Sequence, residues 1–215
     1  TTVTTPWYDS LTQLPVAHSH EMISIASARL RTTLANAGIE TLDLGVISVD
    51  AGELNCRIAE GANKATVNQD TILQLVGRIR NVAANHDITA PRIVIDRQGG
   101  RTFYRSWLAT CLPNASVKIL GESARVSRYE VADDHGTFVV SFETEAEDRH
   151  LPVALASMAA KYARELAMIR LNRYFNAFLP QLKPTAGYVQ DGRRFMDDLK
   201  PVLGDLDLNR ALLVR

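Results

Sequence analysis

The run "RIVIDRQGGR", Arg92 to Arg101, joins a short β-branched stretch to a glycine pair. Ile93, Val94 and Ile95 favour a pleated strand, and an apolar run that does not alternate is the pattern of a central strand covered on both faces. Asp96 closes that run. The C-terminal ends of strands are where open α/β sheets place their ligand sites, so Asp96 is a candidate functional carboxylate. An Asp before a Gly-rich turn can equally cap or order the turn, and position alone does not separate the two roles.

Working outward, the chain alternates helical and strand-like patterns. Residues His18 to Ala37 carry apolar residues at helical spacing (Met22, Ile25, Ala26, Leu30, Leu34) and stop at Gly38. The stretch "TLDLGVIS", Thr41 to Ser48, alternates and predicts a strand. Ile72, Val76, Ile79 and Ala83 predict a helix from about Asn68 to Ala84. A short helix is expected over Thr102 to Leu112. Strands are expected at Val117 to Leu120, Val126 to Ala132 and Thr137 to Phe142, the last two joined by the turn signal "DDHG". A long helix follows from near Pro152 to about Phe178, and a short one ends near Val202. This order predicts an α/β fold, a mixed sheet flanked by helices with a helical C-terminal extension. One domain, 1–215, is expected: an irregular lead-in over 1–17, the sheet and its covering helices over 18–150, and the long helix and extension over 151–215.

Composition narrows the function classes. Apolar residues are 46% of the chain, enough to build a core, so wholesale disorder is excluded. No run approaches the roughly 20 apolar residues of a membrane span, and no basic-then-apolar leader is present. Cys56 and Cys111 stand far apart without a CxxC or Cys/His partner, which fits a reducing cytoplasm. Basic and acidic residues balance at 24 each, so net charge advertises no polyanionic partner. The ten basic and six acidic residues from Lys161 onward leave a mild positive bias in the last quarter. The opening "TTVTTPWYDS" lacks an initiator Met and reads as the middle of a longer chain.

Three further groups could hold chemistry. Glu143, Glu145, Glu147 and Asp148 form an acidic run before the long helix; metal-assisted phosphodiester hydrolysis needs converging carboxylates, while acids near a helix start also suit simple capping. Along the long helix, Leu155, Ala159, Tyr162, Leu166 and Ile169 share one face, expected to be core. Ser157, Lys161 and Arg164 share the opposite face at i, i+4 and i+7. That polar row could follow successive phosphates or be a solvated basic face. Tyr188, after Gly187, is a turn aromatic that could stack on a sugar or base or pack on the helix.

The order of these groups resembles the ribonuclease HII family. In "VALASMAAKYARELAM", residues 153–168, Ser157, Lys161, Arg164 and Glu165 match its signature, with Glu165 replacing the usual Asp. Ten residues before Ser157, where the family has a metal-binding Asp, stands Glu147, with Asp148 beside it. Asp96 matches the mid-chain catalytic Asp. In "GVISVDAGELN", Asn55 matches an Asp-x-x-Asn turn, with Gly52 where the acid usually stands. "PTAGYVQDGRRF" is similar to the Gly-Tyr-Pro-x-Asp motif, with Tyr188 and Asp191 matched and Val189 replacing Pro. The opening Asp-Glu-Ala-Gly strand of the family has no counterpart here, which implies either a longer parent chain or a divergent, non-catalytic relative.

The resemblance implies a ribonuclease H-like sheet and a Mg²⁺- or Mn²⁺-dependent endonuclease. Its substrate would be an RNA–DNA hybrid or a ribonucleotide-containing duplex, and the protein would be a monomer. Asp96 and Glu147 would hold metal, with Asp148 as the neighbouring candidate. Ser157, Lys161, Arg164 and Tyr188 would contact substrate. With half the metal shell missing, this chain is expected to be inactive or very weak. The alternative is a non-catalytic nucleic-acid- or partner-binding module of the same fold.

Overall fold

The computed structural model describes residues 5–9, 11–14, 16–204, 206 and 208–213. In chain order its elements are a 3-10 turn Pro6–Tyr8, α1 His20–Asn36, α2 Ala51–Ala59, α3 Lys64–Asn85, β1 Arg92–Asp96, α4 Arg105–Cys111, β2 Ser116–Glu122, β3 Val126–Asp133 and β4 Gly136–Glu143. A 3-10 turn Ala146–Asp148, α5 Leu151–Asn176, α6 Val189–Leu203 and a 3-10 turn Arg210–Leu212 complete it. This is the expected α/β class. The chain expected as one domain forms two compact units. One comprises 1–44, 48–60 and 161–215; the other comprises 45–47 and 61–160, so α5 contributes to both.

The second unit is built on a four-stranded mixed sheet in the order β1-β4-β3-β2. β2, β3 and β4 form an antiparallel meander, and β1 pairs parallel with β4. The "DDHG" signal holds: Asp133 and Gly136 face each other across the hairpin, and Gly136 takes a positive φ of 112° that suits glycine. One sheet face supplies the core. Ile93, Tyr129, Val131, Phe138, Val140 and Phe142 pack there with Ile72 and Val76 of α3 and Leu108 of α4. Tyr104 stacks on Phe142 with ring centroids 3.7 Å apart. The Tyr129 hydroxyl, buried and donating to Glu122, has its pKa pushed up to about 12, chiefly by desolvation. Arg80 of α3 binds Asp133 through two hydrogen bonds of 2.8 and 2.7 Å and lies over the Phe138 ring. Its guanidinium holds the Asp133 carboxyl below the usual range.

The first unit is helical. Trp7, Phe175, Leu182, Phe195, Met196, Leu199 and Leu212 form its core, with edge-to-face contacts such as Phe175–Phe195. Asp50 caps α2, accepting from Glu53 N at 2.9 Å, and Asn63 caps α3 through Ala65 N and Thr66 N. The Asn63 cap moves the start of α3 four residues ahead of the apolar spacing. Asn55 of α2 donates to Ala211 O at 2.7 Å.

Three expectations need correction. Residues 41–48 form no strand: they stay irregular, with Leu42, Leu44 and Val46 exposed. Alternation makes a strand only where a free sheet edge receives it, and Gly45 instead lies so close to the Arg78 guanidinium that a Cβ would clash there. Second, β1 is an edge strand of the sheet and not a central one, with Arg92 and Asp96 exposed. Third, Tyr162 is not core; it is 50% exposed, and Phe175 is the fully buried side chain of α5. The stripe of α1 also stays open, with no buried residue in that helix.

Candidate functional site

Parallel pairing of β1 with β4 sets Asp96 directly beside Glu143 at the C-terminal ends of both strands. The ladder runs one step further, Arg97 N donating to Glu143 O at 2.8 Å. Beyond β4 the chain turns sharply: Glu145 occupies the left-handed region at φ 52°, a conformation that costs a non-glycine residue energy. The next amide, Ala146 N, donates to Asp96 Oδ1 at 3.1 Å. Asp96 therefore braces the turn after β4, not the Gly-rich turn 97–101 that the sequence offered it. The same bond brings the segment bearing Glu147 and Asp148 to the end of β1. Both of those acids are exposed, and neither forms a side-chain hydrogen bond or ion pair among the described residues.

Glu143 is different. Strand alternation turns Val139, Ser141 and Glu143 away from the apolar core face defined by Phe138, Val140 and Phe142. Its side chain is 4% exposed, and cations from three segments surround it. His150 Nε2 lies 3.0 Å from Oε2, and Arg149 Nη2 lies 3.6 Å from the same oxygen. Arg92 Nη2 and Arg128 Nη2 stand 3.9 and 3.8 Å from Oε1, which accepts no hydrogen bond. Arg128 is further fixed by its Nε donating to Ser141 Oγ at 3.2 Å, and Arg149 by donating to Thr144 O. A buried carboxylate with an unbonded oxygen is costly unless charges compensate it, and here three guanidiniums do.

The remaining candidates separate by unit. Ser157, half-buried, lies in the part of α5 that belongs to the sheet unit; Lys161, exposed, begins the part that belongs to the helical unit. Arg164 and Tyr188 are brought together: the guanidinium sits 4.8 Å from the ring centroid, pairs with Glu165 at 3.1 Å and donates to Ala186 O. Gly187, at φ 74°, packs so that a Cβ would lie 3.2 Å from Met168 Sδ. The loop before α6 is thus moulded onto α5. Asn172 clamps it twice, donating to Thr185 O at 2.9 Å and accepting from Thr185 N at 2.8 Å. Tyr188, at the tip, remains 67% exposed.

The donor set does not amount to a two-ion centre. Among the described residues no group of three or more His, Cys, Asp or Glu side chains could hold a metal ion. Hard divalent cations want several oxygen ligands, and three arginines beside Glu143 would repel one. Sequence reasoning missed Glu143 as the focus because it read as one acid in an acid-rich run. The alternation of "GTFVVSFE" and the basic pair Arg149–His150 were the available signals. Among the described residues no helix is long and apolar enough to cross a membrane. No protein-family model, curated protein or solved structure matches this chain.

Proposed function

We propose that this chain is a nucleic-acid-binding unit on a ribonuclease H-like α/β scaffold, one whose own carboxylates do not complete a two-metal centre. The observation behind this reading is the use to which the two strand-end acids are put. Asp96 holds Ala146 N, and Glu143 is walled by Arg92, Arg128, Arg149 and His150. Basic groups gathered on one sheet face suit phosphates, which supply most of the sequence-independent affinity of such complexes. The partner would be an RNA–DNA hybrid or a ribonucleotide-containing duplex, bound by a monomer. Free Cys56 and Cys111 support the cytoplasm as its compartment.

A second reading, Mg²⁺- or Mn²⁺-dependent endonuclease, draws support from the Asp96–Ala146 bond, which ties the Glu147 segment to the end of β1. It requires additional carboxylates to join Asp96 and Glu147. The two readings part at Asp96→Asn. A binding unit keeps its affinity for a hybrid and cleaves nothing with Mn²⁺ before or after the change. An endonuclease cleaves as wild type and loses cleavage in the variant.

A further inference from the structure

We propose that Arg92, Arg128 and Arg149 form a cradle for a phosphate oxyanion, preset by the buried carboxylate of Glu143. Naming its source as a nucleic-acid backbone rests on the binding reading above; the cradle's own chemistry does not. Three guanidiniums face the Glu143 carboxylate, a sum of about +2 that the neighbouring Asp96 carboxylate lowers to about +1 before His150 is considered. An ion cluster serving stability alone would direct its donors to the carboxylate. Here Arg92 and Arg128 approach Oε1 at 3.9 and 3.8 Å without a hydrogen bond, and Oε1 stays unbonded. Glu143 therefore fixes the guanidiniums by charge while leaving N–H groups open.

Those groups also reach solvent: the Arg92, Arg128 and Arg149 side chains are 55%, 40% and 42% exposed, whereas Glu143 is 4% exposed. A ligand would meet the arginines and not the acid. Planar guanidinium forks match tetrahedral oxyanions, and convergence from β1, β3 and the end of the 3-10 turn before α5 makes the geometry one that only the folded sheet assembles. The cradle lies wholly within the sheet unit.

The test uses the full chain and two probes, pyrophosphate and a short RNA–DNA hybrid, with binding measured over a salt series. Arg92→Gln combined with Arg149→Gln removes two exposed cradle charges. Lys64→Gln combined with Arg105→Gln removes two exposed charges elsewhere in the same unit. The cradle predicts affinity weakened about tenfold for each arginine removed, and a salt slope for the hybrid shallower by about 0.9 for each phosphate no longer neutralised. The control pair should change neither by comparable amounts. Hybrid binding that survives the cradle variant with an unchanged slope overturns the cradle and leaves the nucleic-acid reading standing. Pyrophosphate binding abolished in the variant, with no hybrid binding by wild type, supports the cradle and overturns the nucleic-acid source. Failure of wild type to bind either probe overturns both.

Discussion

Two carboxylates, Asp191 in the helical unit and Glu143 in the sheet unit, show what a structural acid looks like beside one held in reserve. Asp191 Oδ2 accepts from Thr185 Oγ1 at 2.6 Å and Ala186 N at 2.7 Å, while Oδ1 takes Arg194 Nε and Nη2 at 3.2 and 2.9 Å. Both oxygens are satisfied, and these bonds hold its pKa down to about 2, Thr185 contributing most. Its work is to shape the 184–191 loop against α6. Glu143 is the reverse: deeply buried, bonded at Oε2 to His150, unbonded at Oε1, and ringed by arginines whose outer sides face solvent. An acid that has used its acceptors finishes a fold. One that gathers cations without saturating them leaves those cations available.

The sharpest way to break this contrast is Glu143→Ala. It leaves mutually repelling arginines around an emptied position, and because those arginines are half-exposed and screened by solvent the cost is about 2–3 kcal/mol, mostly the lost His150 bond and the vacated buried space. Denaturant unfolding should register a loss of that order, against a much smaller one for Glu143→Gln, which keeps the shape. A loss below about 1 kcal/mol for Glu143→Ala would mean the arginines do not depend on the carboxylate. Asn172→Ala comes next, since it removes two clamp bonds to the backbone of buried Thr185, for about 2 kcal/mol, together with the ordering of Tyr188. Tyr188 ring signals that stay as sharp and shifted as in wild type would show that the loop needs no clamp.

Asp96→Ala should cost about 1 kcal/mol, the scale of a missing capping bond at a strained turn. A much larger loss would give Asp96 a second structural partner. The smallest effect belongs to Asp191. Its pKa is depressed on folding, so its stabilisation is complete above the ordinary carboxylate value and disappears as pH falls through the window from about 4 to about 2. Titration followed by carboxyl chemical shift should show its midpoint near the lower end. A midpoint near the ordinary carboxylate value would mean that the loop bonds are not maintained in solution.

Much of the fold was legible. Apolar spacing located α1, α3 and α5, the "DDHG" turn located the β3–β4 hairpin, and "RIVID" located β1. The illegible parts depended on long-range partners. Thr41 to Ser48 alternates as a strand does, yet finds no edge, and the following Asp50 starts a helix through its cap. "RIVID" has the composition of an interior strand although it lies at the sheet edge, because composition reports burial by helices as readily as by neighbouring strands. Asp96 could be named from its place at the end of an apolar run, and Glu147 from the acidic run together with the ribonuclease HII resemblance. The pairing of Asp96 with Glu143, and the arrival of Arg92 and Arg128 beside it, follow from strand register, which no single stretch of sequence contains.

The proposed phosphate seat around Glu143 works without metal. The most direct measurement is anisotropy of a labelled RNA–DNA hybrid titrated with the full chain in chelator, repeated from low to physiological salt. Saturable binding is expected, its log affinity falling linearly with log salt, with an intact hybrid at the end. Absence of binding at low salt, or affinity that appears only when Mn²⁺ is restored, would contradict a metal-free seat.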